Sequence, residues 1–158
     1  MQKKLLGFLT LTHIATLALG SALGMYALPI LTAPPAPTDS EIRISVSRAV
    51  YTGEFIPELK GSDALHWGEG KLSVSRDQIA LMGQLSPGPD YQLYLSPQWV
   101  ETEAEFMQLK ASMVHVGAVK TFDHFIVPIA PNTDLKAFNT VVVWCETFSE
   151  FITAAQYR

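Results

Sequence analysis

The chain has 158 residues, enough for one packed domain and a short appendage. Only 16% of them are charged and 48% are apolar, which excludes disorder throughout. The net charge is −4, and beyond residue 40 nine Lys/Arg stand against fourteen Asp/Glu, so the basic face that displaces counterions from a nucleic acid is missing.

Lys3 and Lys4 precede an uncharged run from Leu5 to Ala33. Leu5 to Leu28 alone gives 24 residues before Pro29, roughly 36 Å of helix at about 1.5 Å per residue. A hydrocarbon core of about 30 Å needs about 20 such residues, and a secretory h-region is normally about 7–15. Residues 1–33 are therefore read as a single transmembrane helix that anchors the protein. Cleavage after a signal, at Ala22-Leu23-Gly24, is the competing reading. The leading lysines place the N-terminus in the cytoplasm and the rest on the extracytoplasmic side, periplasmic or extracellular. His13 is an ionisable group inside this run, and Gly20 to Gly24 has the small-xxx-small spacing that would permit a helix-mediated dimer. Residues 34–40 contain three prolines and read as a semi-rigid linker, leaving 41–158 as the exported domain.

Within that domain Ile42, Ile44 and Val46 alternate with polar residues, the pattern of a half-buried strand. Tyr51 to Phe55 follows, with Gly53 expected at a turn or bulge. After a loop closing on His66 and Trp67, Gly68 to Val74 and Ile79 to Met82 give two more strands. Leu85-Ser-Pro-Gly-Pro-Asp90 is a strong turn in which Gly88 is free to take positive φ. Tyr91 to Ser96 is the next strand. Glu101, Glu103 and Glu105 then cluster ahead of Phe106, Met107 and Leu109, and Thr102 with Glu105 fits a capping box, so a short surface helix is expected over 98–110. Val114 to Val119, Phe122 to Ile129, Asn139 to Phe148 and Glu150 to Tyr157 complete the strands.

About eight short strands at spacings near ten residues, with Gly/Pro punctuation and one helix, define an all-β antiparallel β-sandwich. Val74, Leu93, Leu95, Val127, Val141 or Val142, Val143 and Phe151 are its expected core.

The strongest strand, Val141-Val142-Val143-Trp144-Cys145, ends in the one cysteine of the sequence. Side chains alternate, so Trp144 and Cys145 fall on opposite faces. A single cysteine cannot close a disulfide within the chain. A reactive thiol needs a cationic neighbour, and Glu146 supplies the wrong sign, so help would come from His66, His115 or His124 in space. The histidines show no metal-ligand spacing, and no phosphate loop is present.

Four pieces together resemble the DM-thirteen family, named for a domain of Skeletor-type cell-surface proteins. They are GPDYQLYLSP, Val-Gly-Ala at 116–118, the step at 125–128 that ends in proline, and VVVWCETFSEFITAAQY. The resemblance covers roughly residues 45–158. It implies an all-β extracytoplasmic domain acting in electron transfer, with Cys145 as a naked thiol or as a ligand to a prosthetic group such as haem. On that reading Trp144, His66 and His124 would join Cys145 around the group, a redox protein would be the partner, and the domain would be an electron-transfer accessory more than a turnover enzyme. Ala154-Ala155 departs from the family in lacking the glycine often found there. The alternative from a different class is a binding or adhesion module of the cell envelope whose cysteine is buried and inert, because sandwiches host many functions.

Overall fold

A computed structural model describes residues 2–158, so Met1 of the expected anchor lies outside the described residues. Helix α1, Gln2–Thr32, has no buried residue and reaches a mean hydropathy of 1.8 over an 18-residue window. It is long and apolar enough to cross a membrane or to serve as a signal sequence. Residues 33–38 then run without regular structure.

The eight strands form two antiparallel sheets. β1 (Tyr51–Phe55), β2 (Gly68–Val74), β3 (Gln78–Leu85) and β6 (Phe125–Pro128) lie in the order β1-β2-β3-β6. β4 (Tyr91–Ser96), β5 (Val114–Val119), β7 (Thr140–Cys145) and β8 (Glu150–Gln156) lie in the order β5-β4-β7-β8. The sandwich expected from the strand spacing is thus the fold. β1 closes over β8 at one edge and β5 over β6 at the other.

The main core fills the space between the sheets with Leu72, Val74, Ile79 and Leu81 from one side and Leu93, Leu95, Val141, Val143, Cys145 and Ile152 from the other. Every expected core residue is buried. A smaller cluster covers the outer face of the second sheet, where Tyr94, Val142, Trp144, Phe151 and Ala154 meet Phe106. Phe106 comes from α3, Glu103–Leu109, whose N-cap Thr102 accepts from the Glu105 N–H at 3.3 Å. The reciprocal bond of the expected capping box is displaced by one residue: Glu105 Oε2 accepts from the Glu101 N–H at 2.7 Å.

The expected strand at Ile42 to Val46 is instead a helix, α2 (Asp39–Ser47). A full capping box decides it. The Thr38 side chain accepts from the Glu41 N–H at 3.4 Å, and Glu41 Oε2 accepts from the Thr38 N–H at 2.7 Å. Ile42 and Ser45, three apart, face inward, while Ile44 is left outside. A six-residue alternation is too short to outweigh those end bonds.

Two glycine expectations are also corrected. Gly53 is neither turn nor bulge but mid-strand in β1, paired with Leu72. A Cβ there would meet the Gln156 carbonyl oxygen at 2.7 Å, so glycine lets the edges of the two sheets close. In the 85–90 turn the left-handed residue is Asp90, with φ 54°, and not Gly88. Gly88 is needed because a Cβ would strike the Tyr91 hydroxyl at 2.4 Å.

Candidate functional site

The β7 strand delivers five consecutive side chains to two different places. Val141, Val143 and Cys145 face the main core, while Val142 and Trp144 face the cluster under α3, as strand alternation requires. Glu146, the next residue, returns to the outer side.

On the inner face Cys145 is 2% exposed. Its register partner on β4 is Tyr91. The thiol donates to the Pro89 carbonyl at 3.0 Å, and the turn after β7 directs the Thr147 and Phe148 amides at the sulfur. Burial pushes the thiol pKa up. Those two amides oppose the shift, and the negative charges of Asp90 and Glu150 add to it. Cys145 therefore rests as a neutral thiol. Among the described residues no cation lies beside the sulfur, and the Pro-Gly-Pro turn closes over it. That turn is laced to the β7–β8 turn: the Glu146 N–H donates to the Asp90 carbonyl at 3.2 Å, and Thr147 Oγ1 to Asp90 Oδ2 at 3.1 Å.

The histidines stand elsewhere. His66 Nδ1 lies 3.1 Å from Asp63 in the loop before β2. His124 Nδ1 accepts from the Gly83 N–H at 3.2 Å on the other sheet, which places its hydrogen on Nε2, 3.9 Å from Asp39. His115 Nε2 is 2.8 Å from Gln92 Oε1. Among the described residues none of them hydrogen-bonds to Cys145. Trp144 is fully buried on the opposite face, so the four residues expected around a prosthetic group are not gathered into one pocket.

A groove of about 390 Å³ runs past the cover of the thiol, lined by Gly88, Pro89, Asp90 and Tyr91 from the turn and by Leu28 and Thr32 from the end of α1. Neither Cys145 nor a histidine lines it.

The outer face holds an assembly that the sequence reading did not find. Trp144 stacks on Phe106 with ring centroids 4.0 Å apart and planes at 9°, and Tyr94 meets Phe106 edge-on at 5.2 Å. Lys110 holds both Glu146 oxygens, at 2.8 and 2.7 Å, and its ammonium lies within 6 Å of the rings of Tyr94, Phe106 and Trp144. The Tyr94 hydroxyl donates to Glu146 Oε1. Burial works to raise the Glu146 carboxyl, but Lys110 and Tyr94 outweigh it and hold the group below its usual range. Tyr94 shifts the other way, upward through burial and the adjacent carboxylate. The Trp144 indole N–H leans toward Glu146 but falls short of hydrogen-bonding geometry, leaving a buried donor without a partner. The available signals were Phe106 and Lys110 four apart at the end of a helix, and Glu146 two residues after Trp144.

A two-sheet antiparallel sandwich with one buried thiol, behind a helix of membrane-spanning length, is the class of protein that these features define. Residues 58–157, more than half of the chain, match the family model DM13, described as Electron transfer DM13. The chain belongs to the DM13 family, as its motifs led one to expect. No curated protein and no solved structure matches it.

Haem does not fit at Cys145 in this fold. A ligand to iron needs an open side on its sulfur, whereas Cys145 is buried, Sγ is turned into the Pro89 carbonyl and the residue does not line the neighbouring groove.

Proposed function

We propose that this protein is a membrane-anchored electron-transfer module of the extracytoplasmic side in which Cys145 works as a naked thiol. The observation that supports it is the cover over the sulfur. One turn, Ser86 to Asp90, separates Cys145 from the groove at the foot of α1, and two backbone amides already point at the sulfur from the other side. At rest the thiol is shielded from oxidation. When Pro89 moves aside, those amides favour the thiolate, the form that exchanges electrons. The anchor would hold this turn near the membrane surface, where a redox partner in the same membrane could reach it.

A second reading is a binding module with an inert cysteine, and the 2% exposure and the raised thiol favour it.

Thiol titration and substitution separate the two. For an active thiol, a small disulfide reagent modifies Cys145 in the native protein within minutes, and Cys145→Ser abolishes electron exchange with a mediator while leaving the unfolding transition in place. If the native thiol stays unmodified until the protein unfolds and Cys145→Ser exchanges electrons like the parent, the binding-module reading stands instead.

A further inference from the structure

We propose that Tyr94 is a one-electron redox site that passes its phenolic proton to Glu146 when an oxidised metal centre of a partner takes its electron. This goes beyond the thiol reading and does not depend on it. Among the described residues Tyr94 is the tyrosine that donates to a carboxylate; the Tyr91 hydroxyl lies 3.5 Å from Ser86 Oγ, and Tyr157 donates to the Leu135 carbonyl at 3.1 Å. One-electron loss makes a phenol strongly acidic, so the step is easy only where a proton acceptor is already in contact.

Lys110 sets both ends of that step. By holding the two Glu146 oxygens it keeps the acceptor anionic at rest. Its charge, 5.6–5.9 Å from the three rings, disfavours a radical cation on any of them. The Trp144 N–H is not hydrogen-bonded, whereas the Tyr94 hydroxyl already donates to Glu146, so the oxidised equivalent settles on Tyr94, where the proton can leave. Tyr94 is 7% exposed, while the Glu146 and Lys110 side chains are 30% and 35% exposed, so the pair sits just inside the surface with its proton acceptor at the rim.

The step balances. One electron leaves Tyr94 and reduces the metal centre by one unit. The Oη–H bond breaks, and the proton binds Glu146 Oε1. The products are a neutral tyrosyl radical and a protonated Glu146. On re-reduction a one-electron donor returns the electron, and the Lys110 charge drives the proton back to Oη.

The test oxidises the full chain in detergent with photogenerated tris(bipyridine)ruthenium(III), with freeze-quench electron paramagnetic resonance as the readout. A tyrosyl signal is expected in the parent protein and in Cys145→Ser, and it should fall at least about tenfold in Tyr94→Phe, which keeps the ring packing. Glu146→Gln should slow radical formation on the order of 100-fold, the low end of what a positioned proton acceptor supplies. It should also make the rate rise with buffer-base concentration, as a merely structural change would not. A signal unchanged in Tyr94→Phe overturns the proposal, as does a Glu146→Gln rate equal to the parent's and blind to buffer. A signal that persists in Tyr94→Phe but vanishes in Cys145→Ser assigns the chemistry to sulfur.

Discussion

The thiol of Cys145 donates to the carbonyl of Pro89 across 3.0 Å, although 56 residues separate them in the chain. The bond joins the end of β7 to the turn before β4 and places the sulfur one residue beneath a groove. Access to the sulfur therefore depends on how firmly that turn is held.

Burial keeps the thiol protonated above its ordinary range near about 8.5. Because the folded pKa exceeds the unfolded one, this group's contribution to stability is complete below about pH 8.5 and is lost as pH rises through the folded value. The urea midpoint of the parent should drop between about pH 8 and about pH 10 by more than that of Cys145→Ala. The Tyr91 phenol, pushed up to about 12 by burial, titrates above this window. Equal drops in the two proteins would show that the thiol is not shifted.

Gly88→Ala should loosen the cover. The added methyl meets the Tyr91 hydroxyl at 2.4 Å and its ring at 2.7 Å, so either the turn over Cys145 or the Tyr91 ring beside it must shift. Overpacking of this kind costs about 1–3 kcal/mol. Labelling of Cys145 should quicken in the folded variant; an unchanged labelling rate would mean that the turn does not gate the sulfur.

Leu93→Ala removes a fully buried side chain from the centre of the main core and should cost about 2–5 kcal/mol in chemical denaturation. A loss below about 0.5 kcal/mol, the size expected of a surface site, would contradict its burial.

Thr38→Ala removes the hydroxyl that accepts from the Glu41 N–H and leaves the Glu41 bond to the residue 38 N–H in place; it should cost about 0.5–2 kcal/mol, a loss that Thr38→Asn should largely avoid. A strand at 42–46 would respond to neither change.

The anchor is tested by the mature N-terminus. Intact-mass measurement of membrane-fraction protein should retain residues before Met25; a new terminus there, with the domain released to the soluble fraction, would establish a cleaved signal instead.

Most of the strands and the core residues were legible in the sequence because alternation and turn chemistry act over a few neighbouring residues. Val141 to Cys145 reads as a strand from β-branching alone, and the opposite facing of Trp144 and Cys145 follows from the two-residue repeat of any strand. The helix at Asp39–Ser47 was legible too, in the Thr38-x-x-Glu41 spacing, but its apolar residues also alternate, and the cap outweighed them. Only the tertiary structure decided which groups meet. The histidines lie apart from the thiol, Pro89 closes over it, and Lys110, Tyr94 and Glu146 converge from three separate elements. Such meetings depend on sheet pairing and on how α3 crosses the outer face, and contacts made across dozens of residues leave no periodic mark in the chain.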